Sequence, residues 1–289
     1  MTQDITAASV VACIDASPYA QAVADYAVWA AQQLLAPLAL LHAIDKAQHT
    51  HTPDLSGSIG LGSQELLLQQ LAELDEKHSK LALERGREML DSAQARAAQR
   101  GLTDINEVLR HGSLLDTLKQ WLPEIRLVVL GKRGYSSAQE HGQLGLHVEQ
   151  VIRSIDVPIL LTQQAYKAPQ RIMLAYDGSA TAQKSLERLA ASPLCRGLPV
   201  HIVFASDKAE ASAEQLVAAA ALLSQAGFET KTAIVAGEPA AVLHQYQQEH
   251  HIDLLVMGAY GHSRLRQFFL GSTTTAMLSQ AKCSLLILR

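Results

Sequence analysis

The chain has 289 residues, of which 48% are hydrophobic and 18% charged, and its formal net charge is −4. This composition is typical of a compact globular protein, and the length is typical of a chain with two domains. The small acidic charge argues against a nucleic-acid partner, and no apolar run is long enough to cross a membrane.

The first half of the chain predicts strands alternating with helices. Its apolar runs are rich in Val, Ile and Leu without alternation, which is typical of strands buried on both faces of a parallel sheet. A polar stretch separates the second strand from a long helix with leucines at helical spacing. The predicted elements are a strand at 10–17, a helix at 18–35, a strand at 38–45, a helix at 64–100, a helix opened by Gly112-Ser113, and strands at 127–134 and 157–162.

The second half repeats this pattern, and RIMLAYDGS at 171–179 matches VVACIDAS at 10–17. An Ala-rich segment predicts a helix that ends at Gly227, a residue suited to a C-terminal cap. The predicted elements are strands at 171–179 and 200–207, a helix at 211–226, a helix opened by Gly237-Glu238-Pro239, a strand at 254–261, a helix starting near Gly271, and a strand at 283–289.

The spacing of the repeat defines the fold and locates an insertion. Asp15 and Asp177 are 162 residues apart, whereas Gly101 and Gly227 are only 126 apart, so 36 extra residues lie within 46–100 of the first half. Each half reads β-α-β-α-β-α-β-α-β, which predicts an α/β fold of two doubly wound, five-stranded parallel sheets, Rossmann-like and related by the repeat. The predicted domains are 1–165, which contains the insertion, and 166–289.

Polar and glycine residues follow the first and fourth strands of the second half. Asp177-Gly178-Ser179 ends the first strand, and Gly258 and Gly261 stand at the end of the fourth. In an open parallel sheet, ligands bind beyond the carboxyl ends of the strands, where the strand order reverses. Glycines there allow the backbone to approach a ligand closely. The sequence therefore predicts a ligand pocket at this edge.

The segment Gly271-Ser272-Thr273-Thr274 predicts a phosphate site at a helix start. Free N–H groups and the helix dipole attract anions there, and the hydroxyls add donors. Asp177 is suited to accept hydrogen bonds from an adenine amino group or a ribose. This predicts a nucleotide pocket with the base near the first strand. In the alternative interpretation, these residues are turn-forming and helix-capping groups only.

The spacing of these glycines resembles a known family. Gly258-x-x-Gly261, nine residues, then Gly271-Ser272 is similar to the G-x-x-G-(nine)-G-[S/T] signature of ATP-binding universal stress proteins. The resemblance covers nearly the whole chain as a tandem member. It implies that the Asp after the first strand contacts adenine and that the glycine motif binds ribose and phosphates. The implied nucleotide-binding residues are Ala175, Asp177, Ala205, Met257, Gly258, Gly261, Gly271, Ser272, Thr273 and Thr274.

The first half departs from this signature. Gly131-x-x-Gly134 is present, but the next aligned glycine is Gly145, ten residues on, and Leu146 and His147 occupy the hydroxyl positions. The nucleotide motif of this half is therefore predicted to be degenerate. Backbone donors alone can still bind an anion, so ATP binding stays open for this half, and the alternatives are that it holds another ligand or serves as a structural partner.

The predicted function is an ATP-binding stress-response sensor or regulator, with Mg²⁺ arriving through the phosphates. No catalytic residues are predicted, because the chain lacks a Gly-Lys-Ser phosphate loop and a nucleophile–His pair. Slow ATP hydrolysis and a nucleotide-independent interaction module remain as alternatives. No protein metal site is predicted, since His49 and His51 lie in a polar insertion without nearby Cys.

The assembly prediction concerns the last strand of each half. The strands at 157–162 and 283–288 are edges whose N–H and C=O groups can pair with each other within the chain. The leucines of the insertion helix are predicted to form a chain-to-chain interface, giving a homodimer. The scattered Cys13, Cys195 and Cys283 predict buried free thiols, and the polar N-terminus predicts a cytoplasmic protein.

Overall fold

The first half of the chain alternates strands and helices in the predicted order. The computed structural model describes residues 5–45, 61–134, 145–207, 209–258 and 272–289. The elements of the first half are β1 (Ser9–Cys13), α1 (Ala20–Leu34), β2 (Leu38–Ile44), α2 (Leu61–Gln99), β3 (Ile105–His111), α3 (Leu114–Gln120), β4 (Ile125–Gly131), α4 (Leu146–Ser154) and β5 (Ile159–Thr162).

The second half has the same succession of strands and helices. Two of its helices begin at side-chain caps: Ser179 Oγ accepts a hydrogen bond from Ala182 N at 3.1 Å, and Glu238 accepts one from Ala241 N at 2.9 Å. The elements are β6 (Ile172–Ala175), α5 (Ala180–Ala191), β7 (Val200–Ala205), α6 (Ala209–Gln225), β8 (Thr230–Val235), α7 (Pro239–Glu249), β9 (Leu254–Gly258), α8 (Ser272–Gln280) and β10 (Ser284–Leu288).

The strands form one ten-stranded sheet in the order β3-β2-β1-β4-β5-β10-β9-β6-β7-β8. Each half is a doubly wound, five-stranded parallel sheet, as predicted, with the strand order reversing beside β1 and beside β6. The two halves meet where β5 and β10 pair antiparallel, with Leu161 opposite Leu285. The predicted pairing of the two last strands is confirmed, and the two predicted sheets are halves of one continuous sheet.

Helices cover both faces of this sheet and bury two apolar cores. One core lies under α1, α2, α5 and α6, and the other under α3, α4, α7 and α8. Both cores continue across the junction, since Leu160 and Leu286 belong to the first, and Leu161 and Leu285 to the second. In the described ranges, no helix is both long and apolar enough to cross a membrane.

The insertion of the first half lengthens α2, which has 39 residues against 17 in its counterpart α6. Its C-terminal part packs on the sheet through Leu90, Ala93 and Ala97. The buried carboxylate of Asp25 on α1 holds it there, accepting hydrogen bonds from Arg96 at 2.6 and 2.7 Å. Residues 69–80 of α2 lie almost entirely exposed.

The connection between β5 and β6 is anchored at several points. Tyr26 Oη donates a hydrogen bond to the carbonyl of Lys167 at 3.0 Å, and Lys167 forms an ion pair with the buried Asp253. The predicted domain division between 165 and 166 falls in this connection and stays a prediction.

Candidate functional site

A cavity of about 240 Å³ lies at the carboxyl ends of β6, β7 and β9. Six of the ten predicted site residues line it: Ala175, Asp177, Ala205, Met257, Gly258 and Thr274. Ser272 and Thr273 form the start of α8, whereas the predicted residues Gly261 and Gly271 lie outside the described residues. The full set of described lining residues is Ala175, Tyr176, Asp177, Ser179, Thr181, Ala182, Val203, Ala205, Pro239, Leu243, Met257, Gly258 and Thr274.

Asp177 shapes the turn after β6. Its Oδ1 accepts a hydrogen bond from Ser179 N at 2.9 Å, and Gly178 adopts a φ of +70°, a conformation that favours glycine. The turn-capping role considered as the alternative for Asp177 is therefore present. It uses one carboxylate oxygen, and the exposed side chain also lines the cavity. The capping role and a ligand-binding role are compatible at this residue.

Gly258 allows β9 to approach α5 closely. A Cβ at this position would stand 2.8 Å from Thr181 Cγ2 and 2.9 Å from Ser185 Oγ. These distances are shorter than the van der Waals contacts of real side chains. Glycine is thus required here by packing alone, and the same absence of a side chain leaves the backbone open at the cavity floor.

The cavity combines apolar walls with a few polar groups, which is the usual composition of a small-molecule site. Val203, Leu243 and Met257 supply apolar wall. Among the described lining residues, Asp177 supplies a carboxylate and Thr181 and Thr274 supply hydroxyl groups. Burial raises the pKa of Tyr176, whose protonated phenol donates its hydrogen bond to Gln183 Oε1 at 3.0 Å. This set suits a ligand with an apolar ring and hydrogen-bonding edges.

Thiolate and metal chemistry have little support in the described residues. The three cysteines are buried free thiols, as predicted, and burial raises the pKa of both Cys195 and Cys283 to about 12. In residues 5–45, 61–134, 145–207, 209–258 and 272–289, no three His, Cys, Asp or Glu side chains cluster in a way that fits a metal ion. His49 and His51 lie outside these ranges.

The first half has a matching cavity, also of about 240 Å³, at the carboxyl ends of β1, β2 and β4. Asp15 repeats the Asp177 turn, accepting a hydrogen bond from Ser17 N at 3.0 Å. The cavity differs in its charged groups and in the wall that α2 supplies. Its described lining residues are Cys13, Ile14, Asp15, Ala16, Leu41, His42, Ala43, Ile44, Asp45, Ala82, Arg85, Met89, Leu114, Leu130, Gly131, Arg133, Gly134, His147 and Val148.

Sequence reasoning missed several lining residues of both cavities. Val203 was detectable, because it stands two positions before Ala205 on the same strand and therefore on the same face. Leu243 and Pro239 come from α7, and Arg85 and Met89 from α2. These four residues depend on how a helix crosses the end of the sheet, for which the sequence pattern offers no signal.

Comparisons with known proteins match nearly the whole length of this chain. The sequence model of the "Universal stress protein family" matches twice, at residues 8–163 and 169–289. The universal stress protein Slr1230 of Synechocystis sp. is 35% identical over 285 residues, covering 97% of this chain and 99% of that protein.

Solved structures resemble the fold at low sequence identity. A universal stress protein from Archaeoglobus fulgidus has a TM-score of 0.69 at 18% identity, covering 97% of this chain and 98% of that one. A protein of Pseudomonas aeruginosa described as functionally unknown has a TM-score of 0.59 at 15% identity, covering 97% and 92%.

Proposed function

Because this chain belongs to the universal stress protein family, we propose that it binds one ATP in the cavity of its second half and acts as a stress-response sensor or regulator. The observation that carries the proposal is the convergence of Asp177, Ala205, Gly258 and Thr274 on one cavity at the strand-order reversal. Sites of this kind in doubly wound sheets bind nucleotides.

The proposed pose follows from the positions of these groups. Adenine lies against Ala175, Ala205 and Met257, with its amino group donating to the carboxylate of Asp177. The triphosphate extends from Gly258 towards the start of α8, where helix N–H groups and the dipole favour an anion. Gly261, Gly271, Ser272 and Thr273 complete the proposed phosphate contacts. Mg²⁺ binds through the phosphate oxygens and keeps most of its waters.

Calorimetry with a pair of cavity-filling variants tests this assignment. Ala205→Phe fills the second cavity, and Ala43→Phe makes the matching change in the first, where Ala43 stands 162 residues earlier. The full-length protein is expected to bind one ATP, to lose it with Ala205→Phe, and to keep it with Ala43→Phe. Thermal unfolding of each variant checks that the fold survives. Loss of ATP with both substitutions, or with Ala43→Phe alone, would contradict the proposal.

We also propose that the protein forms a homodimer through α2. Leu71, Leu74, His78 and Leu81 follow the 3-4-3 spacing of a coiled-coil seam, and Leu74 and Leu81 are 51% and 53% exposed. A long amphipathic helix gains most of its stability from packing of its apolar face. A second copy of the same helix supplies that packing.

Sedimentation tests the homodimer. The double variant Leu74→Glu with Leu81→Glu is expected to sediment as a monomer, because it places charges in the seam. Val217→Glu is the matched control, since Val217 is 70% exposed on α6 and is not part of the seam. A wild-type monomer, or equal dissociation in the control, would rule this interface out.

Two organisational proposals accompany this function. The halves 1–165 and 166–289 are proposed as separate domains, supported by the strand repeat and by the matching order of elements. A cytoplasmic location is proposed from the buried free thiols, which are typical of proteins in a reducing compartment. Fluorescence microscopy of the tagged full-length protein tests the location.

A further inference from the structure

We propose that the cavity of the first half is a second binding site, which accepts a small organic anion: an apolar ring-sized body that bears one carboxylate or phosphate group. Charged side chains from separate elements line this cavity, and α2 forms one of its walls. This inference is independent of ATP binding in the second half.

Basic side chains line the cavity from three parts of the chain. Arg85 comes from α2, Arg133 follows β4, and His147 lies in the first turn of α4. At the repeat spacing of 126 residues, Arg85 corresponds to Ala211 and His147 to Thr273. The first half thus has basic side chains at positions where the second half has small or hydroxyl side chains. Arginine forms paired hydrogen bonds with carboxylate and phosphate groups.

The wall formed by α2 is fixed closely against the sheet. A Cβ at Gly86 would stand 2.7 Å from Leu109 Cδ1 and 2.9 Å from His42 Cδ2. Glycine inside a helix is less stabilising than alanine, so this close approach is obtained at the expense of helix stability. This contact fixes the helix backbone beside Arg85, whose exposed side chain lines the cavity.

His42 packs against Gly86 and also lines the cavity. Its Nδ1 donates a hydrogen bond to the carbonyl of Ile14 at 2.7 Å, so in the neutral ring Nε2 is an acceptor. Asp15 and Asp45 also line the cavity. These groups accept hydrogen bonds from hydroxyl or amine substituents on the body of the ligand.

The size and the apolar floor define the uncharged part of the ligand. Leu41, Ile44, Leu130 and Val148 line the floor, and a dry cavity of about 150 Å³ is known to accept benzene. A cavity of about 240 Å³ therefore has room for a larger ring body. Leu146 provides no hydroxyl at the start of α4, so the site favours a single anionic group over a triphosphate chain.

The test uses three naphthalene probes with the full-length protein in saturating ATP: 2-naphthoate, 2-naphthyl phosphate and the neutral 2-naphthylmethanol. We expect at least one anion to bind with one site per chain, and the neutral probe to bind about tenfold more weakly. The stronger anion identifies whether a carboxylate or a phosphate is the natural group. Failure of both anions to bind, or equal binding of the neutral probe, overturns the proposal.

Matched variants show whether the probe binds in the first cavity. Arg85→Ala is expected to weaken the anion about five- to tenfold, whereas Arg87→Ala, exposed on the same helix but outside the cavity lining, leaves affinity within about twofold because its charge is screened by solvent. Ala43→Phe is expected to abolish probe binding and Ala205→Phe to preserve it. Equal losses from the two arginine variants, or a loss confined to Ala205→Phe, overturn the proposal. ATP affinity is measured in a separate titration, so a failure of the probe site and a failure of the proposed ATP site can be told apart.

Discussion

At the scale of single residues, Asp177 combines a structural bond with a proposed ligand bond, and two substitutions separate them. Asp177→Asn keeps an oxygen to accept the hydrogen bond from Ser179 N but presents an amide N–H₂ to the adenine amino group. Asp177→Ala removes both bonds. Losing a hydrogen bond to a charged group costs about 1.5–3 kcal/mol, or roughly 10- to 150-fold in affinity.

Both Asp177 variants are therefore expected to weaken ATP binding by this amount in calorimetry, whereas only Asp177→Ala lowers the unfolding temperature. Asp15→Asn is the control, since it alters the equivalent turn of the first half and should leave ATP affinity unchanged. If Asp177→Asn binds ATP with the affinity of the wild type, the carboxylate of Asp177 does not contact the ligand.

His201 makes folding sensitive to acid. Burial lowers its pKa to about 4, with Lys231, His250 and Arg171 adding positive charge nearby, and its ring bonds to Tyr246 Oη at 3.0 Å. The unfolded chain binds this proton near pH 6.5 and the folded chain near pH 4, so unfolding takes up a proton between these values. The free energy of unfolding therefore decreases as the pH falls from about 6.5 to about 4, by at most about 1.4 kcal/mol per pH unit.

Urea denaturation of His201→Gln at pH 7 and pH 5 measures this contribution. The free energy of unfolding of the wild type is expected to drop more between the two pH values than that of the variant. Exposed His111→Gln should behave like the wild type. An unchanged pH dependence in His201→Gln would show that another group controls acid sensitivity.

At the scale of elements, α2 is held to the first half by the buried Asp25. Arg96 and Arg100 both reach its Oδ1, at 2.6 and 3.1 Å. Asp25→Asn weakens both ion pairs around a carboxylate that is 3% exposed, and we expect a loss of about 1–3 kcal/mol in the free energy of unfolding. Hydrogen exchange should also quicken in the C-terminal part of α2.

The exposed pair of Glu76 and Lys80 on the same helix provides the comparison. Glu76→Gln should leave the free energy of unfolding almost unchanged, because solvent-exposed pairs contribute little. Equal losses in the two variants would mean that Asp25 does not anchor the helix.

The elements themselves were largely predictable from local sequence. Buried strands show continuous apolar runs, and residues such as Ser179 and Glu238 start helices by bonding a nearby backbone N–H, so both signals lie within a few residues. Tertiary contacts have no such signal. The close approach at Gly86, the Asp25–Arg96 pair and the position of Arg85 depend on how α2 crosses a sheet whose strands come from distant parts of the chain.

The residues of the candidate sites also divide into those with a local sequence signal and those without one. Asp177 and the glycines were predicted from the end of a strand and a resemblance in spacing, because strand ends define the carboxyl edge of the sheet. The basic side chains that line the first cavity were not predicted, since they come from α2, from the segment after β4 and from α4, at positions up to 62 residues apart, from 85 to 147.

At the scale of the whole molecule, the junction predicts that the two halves associate when they are produced as separate chains. Besides the β5–β10 pairing, buried Lys132 donates from Nζ to the carbonyl of Ala281 at 2.8 Å, and Gln163 donates from Nε2 to the carbonyl of Cys283 at 2.8 Å. Chains 1–165 and 166–289 expressed separately expose these edges, which offer unpaired N–H and C=O groups. On mixing, they are expected to form a one-to-one complex detectable by native mass spectrometry. Two stable monomers that fail to associate would contradict this.

The antiparallel junction has a consequence for communication between the two cavities. Since β1–β5 run parallel, β6–β10 run parallel, and β5 opposes β10, the carboxyl ends of the two halves point in opposite directions. The cavities open at opposite rims of the sheet, so their ligands cannot touch or compete. Any linkage between the two binding equilibria must pass through the junction of the two halves, and by reciprocity each ligand would change the affinity of the other by the same factor.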